Sequence, residues 1–149
     1  MPSHNPAVER DDFALAIVQL ANLVTRRLAP LFEEAGLTPQ QWAVLSLLER
    51  SENPMSLAEI ARAMLVSKQN MTGMIARLEQ LGVIAREGDP NDLRSSHVQL
   101  TRRGRNFVAR LAPAYEEWIA TLQGELSPAD QRTLNAALAK LIGKLQNGQ

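Results

Sequence analysis

Ser56-Leu57-Ala58-Glu59, followed by Ser67-Lys68-Gln69-Asn70-Met71-Thr72-Gly73-Met74-Ile75-Ala76-Arg77-Leu78-Glu79-Gln80-Leu81-Gly82, is the stretch whose reading decides the fold. Ser56 and Glu59 have the spacing of a capping box, each able to satisfy a free amide of the other's turn. Behind them Leu57, Ile60, Ala61 and Met64 share one face, which predicts a short helix. Met64-Leu65-Val66 leaves about three residues for a turn. Ser67 then caps a second helix, and Gly82 ends it after Leu81. Two helices joined by so short a turn form a helix-turn-helix.

The flanking sequence extends this unit. Val83–Glu87 reads as a strand, Gly88-Asp89-Pro90-Asn91-Asp92 as a turn, and Ser96–Leu100 alternates in period two. That predicts a β-hairpin with a long tip, a wing. Upstream, Thr38-Pro39-Gln40-Gln41 opens a helix that turns Trp42, Leu45 and Leu48 inward, and Asn53-Pro54 breaks it. Residues 11–28 carry one apolar stripe, Phe13, Ile17, Leu20, Val24 and Leu28. Pro30 is expected to end or kink that helix and Gly36 to close the segment. Thr101 caps a helix striped by Val108, Leu111, Tyr115, Trp118 and Leu122, with Pro113 expected to bend it. Ser127-Pro128 opens the last helix, which repeats Leu134, Leu138, Leu141 and Leu145.

The expected fold is mainly α with a small β-hairpin wing. It is a single domain over residues 1–149, with a winged helix-turn-helix lobe at 38–104. Helices at 8–36 and 105–147 lie outside that lobe. Their heptad-like stripes favour pairing with a second copy of the chain.

At 149 residues and 16.4 kDa, with 45% apolar residues, the chain has a one-domain length and enough material for a core. It has no cysteine, which removes disulfides, thiolate metal ligation and thiol redox sensing. The longest unbroken apolar run, Phe13 to Val18, is six residues, short of a membrane span, and the N-terminus shows no signal pattern. These features predict a cytoplasmic chain without a membrane partner. Sixteen basic and sixteen acidic residues cancel, which on its face argues against a nucleic-acid partner. The cancellation is uneven. Residues 55–105 hold eight basic and five acidic residues, an excess of +3, and the flanks hold −3. A charged partner for the centre and scattered solvated charge both fit that imbalance.

The helix from Ser67 sharpens the choice. Met71, Met74, Ile75, Leu78 and Leu81 form its inward stripe, and Lys68, Gln69, Thr72, Gly73, Ala76, Arg77 and Gln80 face away. Gln can both donate to and accept from an adenine edge, Arg matches guanine bidentately, and Thr offers a hydroxyl and a methyl. Gly73 and Ala76 allow close approach. The helix N-terminus, with Ser67 and Lys68, suits a phosphate. At the wing tip, Arg94 can enter a narrow minor groove, with Asp92 two residues away to hold its guanidinium. Spacing alone does not separate that reading of Arg94 from an ordinary polar turn.

In order and spacing, Leu37–Leu45, Ser67–Glu79, Gly82–Arg86, Asp89–Ser95 and Leu100–Gly104 together resemble the MarR family of bacterial transcriptional regulators. The resemblance implies a homodimeric winged helix-turn-helix protein that binds palindromic double-stranded DNA. It implies DNA contacts from Ser67, Lys68, Gln69, Asn70, Thr72, Gly73, Arg77 and Arg86, and from Asp92, Arg94 and Ser95 at the wing. The family often carries a further arginine in the wing tip, where Leu93 stands here.

Members of the family commonly repress nearby genes and release DNA on binding a small aromatic or anionic effector. Ile17, Trp42, Leu111 and Tyr115 are candidates for the wall of such a pocket, although a plain core position is the favoured reading of each. No cofactor or metal is expected, because His4 and His97 have no partner at ligand spacing. No catalytic motif is present. The competing reading is a winged-helix module for protein contacts without DNA binding.

Overall fold

The computed structural model describes residues 12–88 and 96–148. In chain order the elements are α1 (Phe13–Glu33), α2 (Pro39–Arg50), β1 (Met55–Ser56), α3 (Leu57–Met64), α4 (Lys68–Gln80), β2 (Ile84–Glu87), β3 (His97–Leu100), α5 (Arg102–Gln123) and α6 (Pro128–Asn147). The strands form one antiparallel sheet in the order β1-β3-β2. This is the expected helical fold with a small wing. The chain divides into two compact units, residues 1–112 and 113–149, and the boundary falls inside α5 at Pro113.

Local signals placed the helix starts. Thr38 Oγ1 accepts from the Gln41 amide at 3.1 Å, and Gln41 Oε1 accepts from the Thr38 amide at 2.9 Å. Ser56 and Glu59 make the same reciprocal pair at the head of α3. Ser67 Oγ caps α4 by accepting from the Asn70 amide at 3.1 Å. Leu65 closes α3 in the left-handed region at φ 57°, so the turn into α4 is made without glycine.

Two expectations change. Strand β1 carries no periodic signal, because it has two residues and one of them, Ser56, is also a helix cap. Of the two outcomes expected at Pro30, an end to the helix is the one that does not occur: α1 runs through it to Glu33. Tertiary packing explains this: Phe32 is fully buried and stacks on Trp42, with ring centroids 5.1 Å apart, which anchors the last turn. Helix α5 likewise continues past Pro113.

The core of the first unit joins Phe32, Leu45, Leu57, Ile60, Met71, Ile75, Leu78, Val83 and Val98, all essentially without solvent exposure. Met74 and Leu81, expected in the same stripe, are half-buried. At the exit of the sheet, the Thr101 hydroxyl donates to the Gly82 carbonyl at 2.7 Å and accepts from the Gly104 amide at 3.1 Å. A Cβ on Gly104 would run into the Val83 carbonyl, so only glycine lets α5 start this close to the strand.

The terminal helices differ from this core. Phe13, Val18 and Leu20 of α1 are exposed, and α6 has no buried residue at all. By length and composition α1 could also cross a membrane, with a mean hydropathy of 1.2 over its apolar window. The six-residue run counted in the sequence hides this, because Gln19, Asn22 and Arg26 interrupt the apolar residues. Those three fall at steps of three and four, a polar stripe along one side.

Candidate nucleic-acid interface

Helix α4 turns Met71, Ile75 and Leu78 into the core at 0% exposure. That rotation fixes the opposite face. Ser67, Lys68, Gln69, Asn70, Gly73, Ala76, Arg77 and Gln80 are exposed, and Thr72 is half-buried. The Thr72 hydroxyl donates to the Lys68 carbonyl at 2.9 Å. Its proton is thereby engaged within the helix, while its oxygen can still accept. Gly73 has nothing within 4 Å of an added Cβ, so the helix surface there is open. With Ser67 holding the Asn70 amide, the first-turn amides of Lys68 and Gln69 point beyond the helix start, where the helix dipole favours an anion.

Arg86 is placed differently from the rest of the expected contact set. Its Cα pairs with that of Val98 across the hairpin, as Ile84 pairs with Leu100. Directly paired residues share a sheet face. Arg86 therefore lies on the face of Ile84, Val98 and Leu100, which are buried. Its side chain is 15% exposed, and Nη2 donates to Glu79 Oε1 of α4 at 2.8 Å. Glu79 went unread in the sequence. The signal for it was the phase of Arg86 with Ile84: an arginine on an inward face requires an anion.

The remaining expected residues separate into three groups. Asp92, Arg94 and Ser95 lie outside the described residues. Ile17 is 44% exposed, whereas Trp42 is 3% exposed and stacked on Phe32. Leu111 is half-buried in the first unit, and Tyr115 is half-buried in the second. Among the described residues no group of three or more His, Cys, Asp or Glu is placed to hold a metal.

Comparison with known proteins bears on this arrangement. The sequence profile of the MarR family matches residues 35–95, which take in α2, the helix-turn-helix and strand β2 but end before β3. The chain is 35% identical over 133 residues to the transcriptional activatory protein BadR of Rhodopseudomonas palustris, covering 87% of this chain and 76% of that one. The chain belongs to the MarR family. Within the family it is also 24% identical over 132 residues to the homoprotocatechuate degradative operon repressor of Escherichia coli, covering 89% and 88% of the two chains. The fold matches that of S. aureus MepR in its DNA complex with a TM-score of 0.80 at 20% identity, over 89% of this chain and 96% of that one. This MarR-family protein is a DNA-binding transcriptional regulator.

Proposed function

We propose that this MarR-family chain is a cytoplasmic repressor, without enzymatic activity, that holds a palindromic operator as a homodimer and releases it when a small aromatic or anionic molecule binds. The observation that carries the DNA reading is the face of α4. Ser67, Lys68, Gln69, Asn70, Gly73 and Arg77 are exposed together beside a stripe buried to 0%, and Thr72 lies among them. Gln69, Asn70, Thr72 and Arg77 read base edges in the major groove, while Ser67, Lys68 and the first-turn amides hold a phosphate. Gly73 permits close approach. Arg94, steadied by Asp92 and flanked by Ser95, enters the adjacent minor groove.

The exposed apolar residues of α1 and α6 support the homodimer. In a monomer, Phe13 at 63% exposure and Leu145 at 79% would sit in water along with the rest of their stripes. A polar stripe along one side of α1 suits a helix packed on protein better than one surrounded by lipid. Two-fold symmetry then sets the two α4 helices about one turn of DNA apart, roughly 34 Å. An effector that favours a dimer with another spacing ejects the DNA, and a 100-fold loss requires about 2.7 kcal/mol of differential binding. Ile17, Trp42 and Leu111, all in the first unit, are the proposed wall of its site.

The test is transcription in vitro from the promoter nearest the DNA that the protein selects from its own genome. Falling transcript on addition of protein, restored by an aromatic carboxylate, is expected. Rising transcript would make the protein an activator.

A further inference from the structure

Arg86 shares its sheet face with the buried aliphatic residues Ile84, Val98 and Leu100. It is on the buried face of β2, opposite Val98, and 15% exposed. Its contact is not with another strand but with Glu79, in the last turns of α4. Among the described residues Glu79 is the anion that compensates its charge. Arg86 Nε and the Ser96 hydroxyl, both toward the loop end of the paired strands, are buried without a hydrogen-bond partner. The site is therefore sparsely satisfied, and one 2.8 Å contact fixes where the arginine points. Paired charges on a largely apolar face seldom contribute more stability than aliphatic side chains in their place, though they can fix a particular arrangement.

We infer that Arg86 and Glu79 are positioning residues: the pair sets the angle between the wing and the recognition helix α4, and neither residue touches DNA. Strand β2 is half of the wing hairpin, and α4 carries the side chains proposed to read bases. The Arg86–Glu79 contact thus ties the wing hairpin to the last turns of α4. This rests on the DNA reading of α4 and departs from the expectation that Arg86 is itself a DNA contact.

Opposite signs make the inference testable. Glu79 is 38% exposed on the helix that approaches DNA. If it were only a surface charge, its neutralisation would remove repulsion and tighten binding. If it holds the wing, Glu79→Gln weakens sequence-specific binding.

The experiment measures affinity and its salt dependence for the duplex that wild-type protein selects from a random-sequence pool, and for a scrambled duplex. Thermal unfolding of each variant is followed in parallel. Glu79→Gln is expected to bind the selected duplex roughly tenfold more weakly, a typical size for residues in one ion-pair network. Binding to the scrambled duplex should hold or tighten. Arg86→Gln should show a similar loss with an unchanged salt slope, and the double variant should lose no more than Arg86→Gln alone.

Three results would overturn the inference. One is Glu79→Gln binding the selected duplex as well as wild type. Another is a slope about one unit lower in Arg86→Gln, which marks a lost phosphate contact. The third is loss on both duplexes in step with a lowered unfolding temperature, which reduces the pair to a stabilising contact. Wild-type protein that selects no sequence would defeat the reading of Gln69 and Thr72 first, and so is distinguishable from failure of the pair alone.

Discussion

Helices α4 and α6 are both striped with apolar residues, yet the structure treats them in opposite ways. In α4, Met71, Ile75 and Leu78 are at 0% exposure. In α6, Leu134, Leu138 and Leu141 are about as regularly spaced and are all at 40% exposure or more. The difference shows what each part of the chain completes by itself. The lobe holding α4 closes its own core and, by doing so, fixes which face looks outward. The stripe of α6 closes nothing among the described residues, which is the ground for the proposed homodimer.

The largest expected effect comes from removing the open stripe. Truncation after Glu125 should abolish the dimer and with it operator binding, leaving monomer or aggregate in sedimentation. A folded, DNA-competent monomer would erase the contrast between the helices. Next in size is Leu78→Ala in α4. It should cost about 2–5 kcal/mol in denaturant unfolding, by the transfer and cavity terms of a filled core. That loss should not depend on protein concentration, whereas substitutions in the α6 stripe should give losses that do.

Smaller effects test the outward face. Gln69→Ala should weaken the selected duplex by about 1–3 kcal/mol and relax the base preference at one position in each half-site, read by binding to a panel of point variants. Arg94→Ala should lower the slope of log affinity against log salt by about one unit. The smallest is Gly73→Ala, where nothing lies within 4 Å of the new Cβ. It should stabilise the helix by up to about 1 kcal/mol in thermal unfolding while weakening DNA binding. Gains in both would mean that close approach at Gly73 is not used.

The helix-turn-helix was legible because its signals are local. Ser56 with Glu59, Ser67, and the spacing of Met71, Ile75 and Leu78 each act within a turn or two of helix. Features set by distant contacts were not legible. The proline rule applied to α1 is local, whereas the Phe32–Trp42 stacking that extends the helix joins different elements. A two-residue strand such as β1 exists through its pairing with β3 and has no period of its own. Trp42 shows the same ambiguity in the proposed effector site, since apolar spacing describes a pocket wall and a packed core alike. Arg86 is the sharpest case. Its residue type suits a phosphate contact, but the register of β2 against β3 turns it to Glu79.

The net charge of zero reads differently in this light. With its positive excess confined to the centre of the chain, the protein should bind DNA weakly outside its operator. Its specificity then rests on a small set of side chains, which the proposed dimer would present twice. Sedimentation of wild-type protein with the duplex it selects tests that directly. Two chains on one palindromic duplex, with half-site centres about one helical turn apart, is the predicted result. A single chain saturating a site without two-fold symmetry would contradict it.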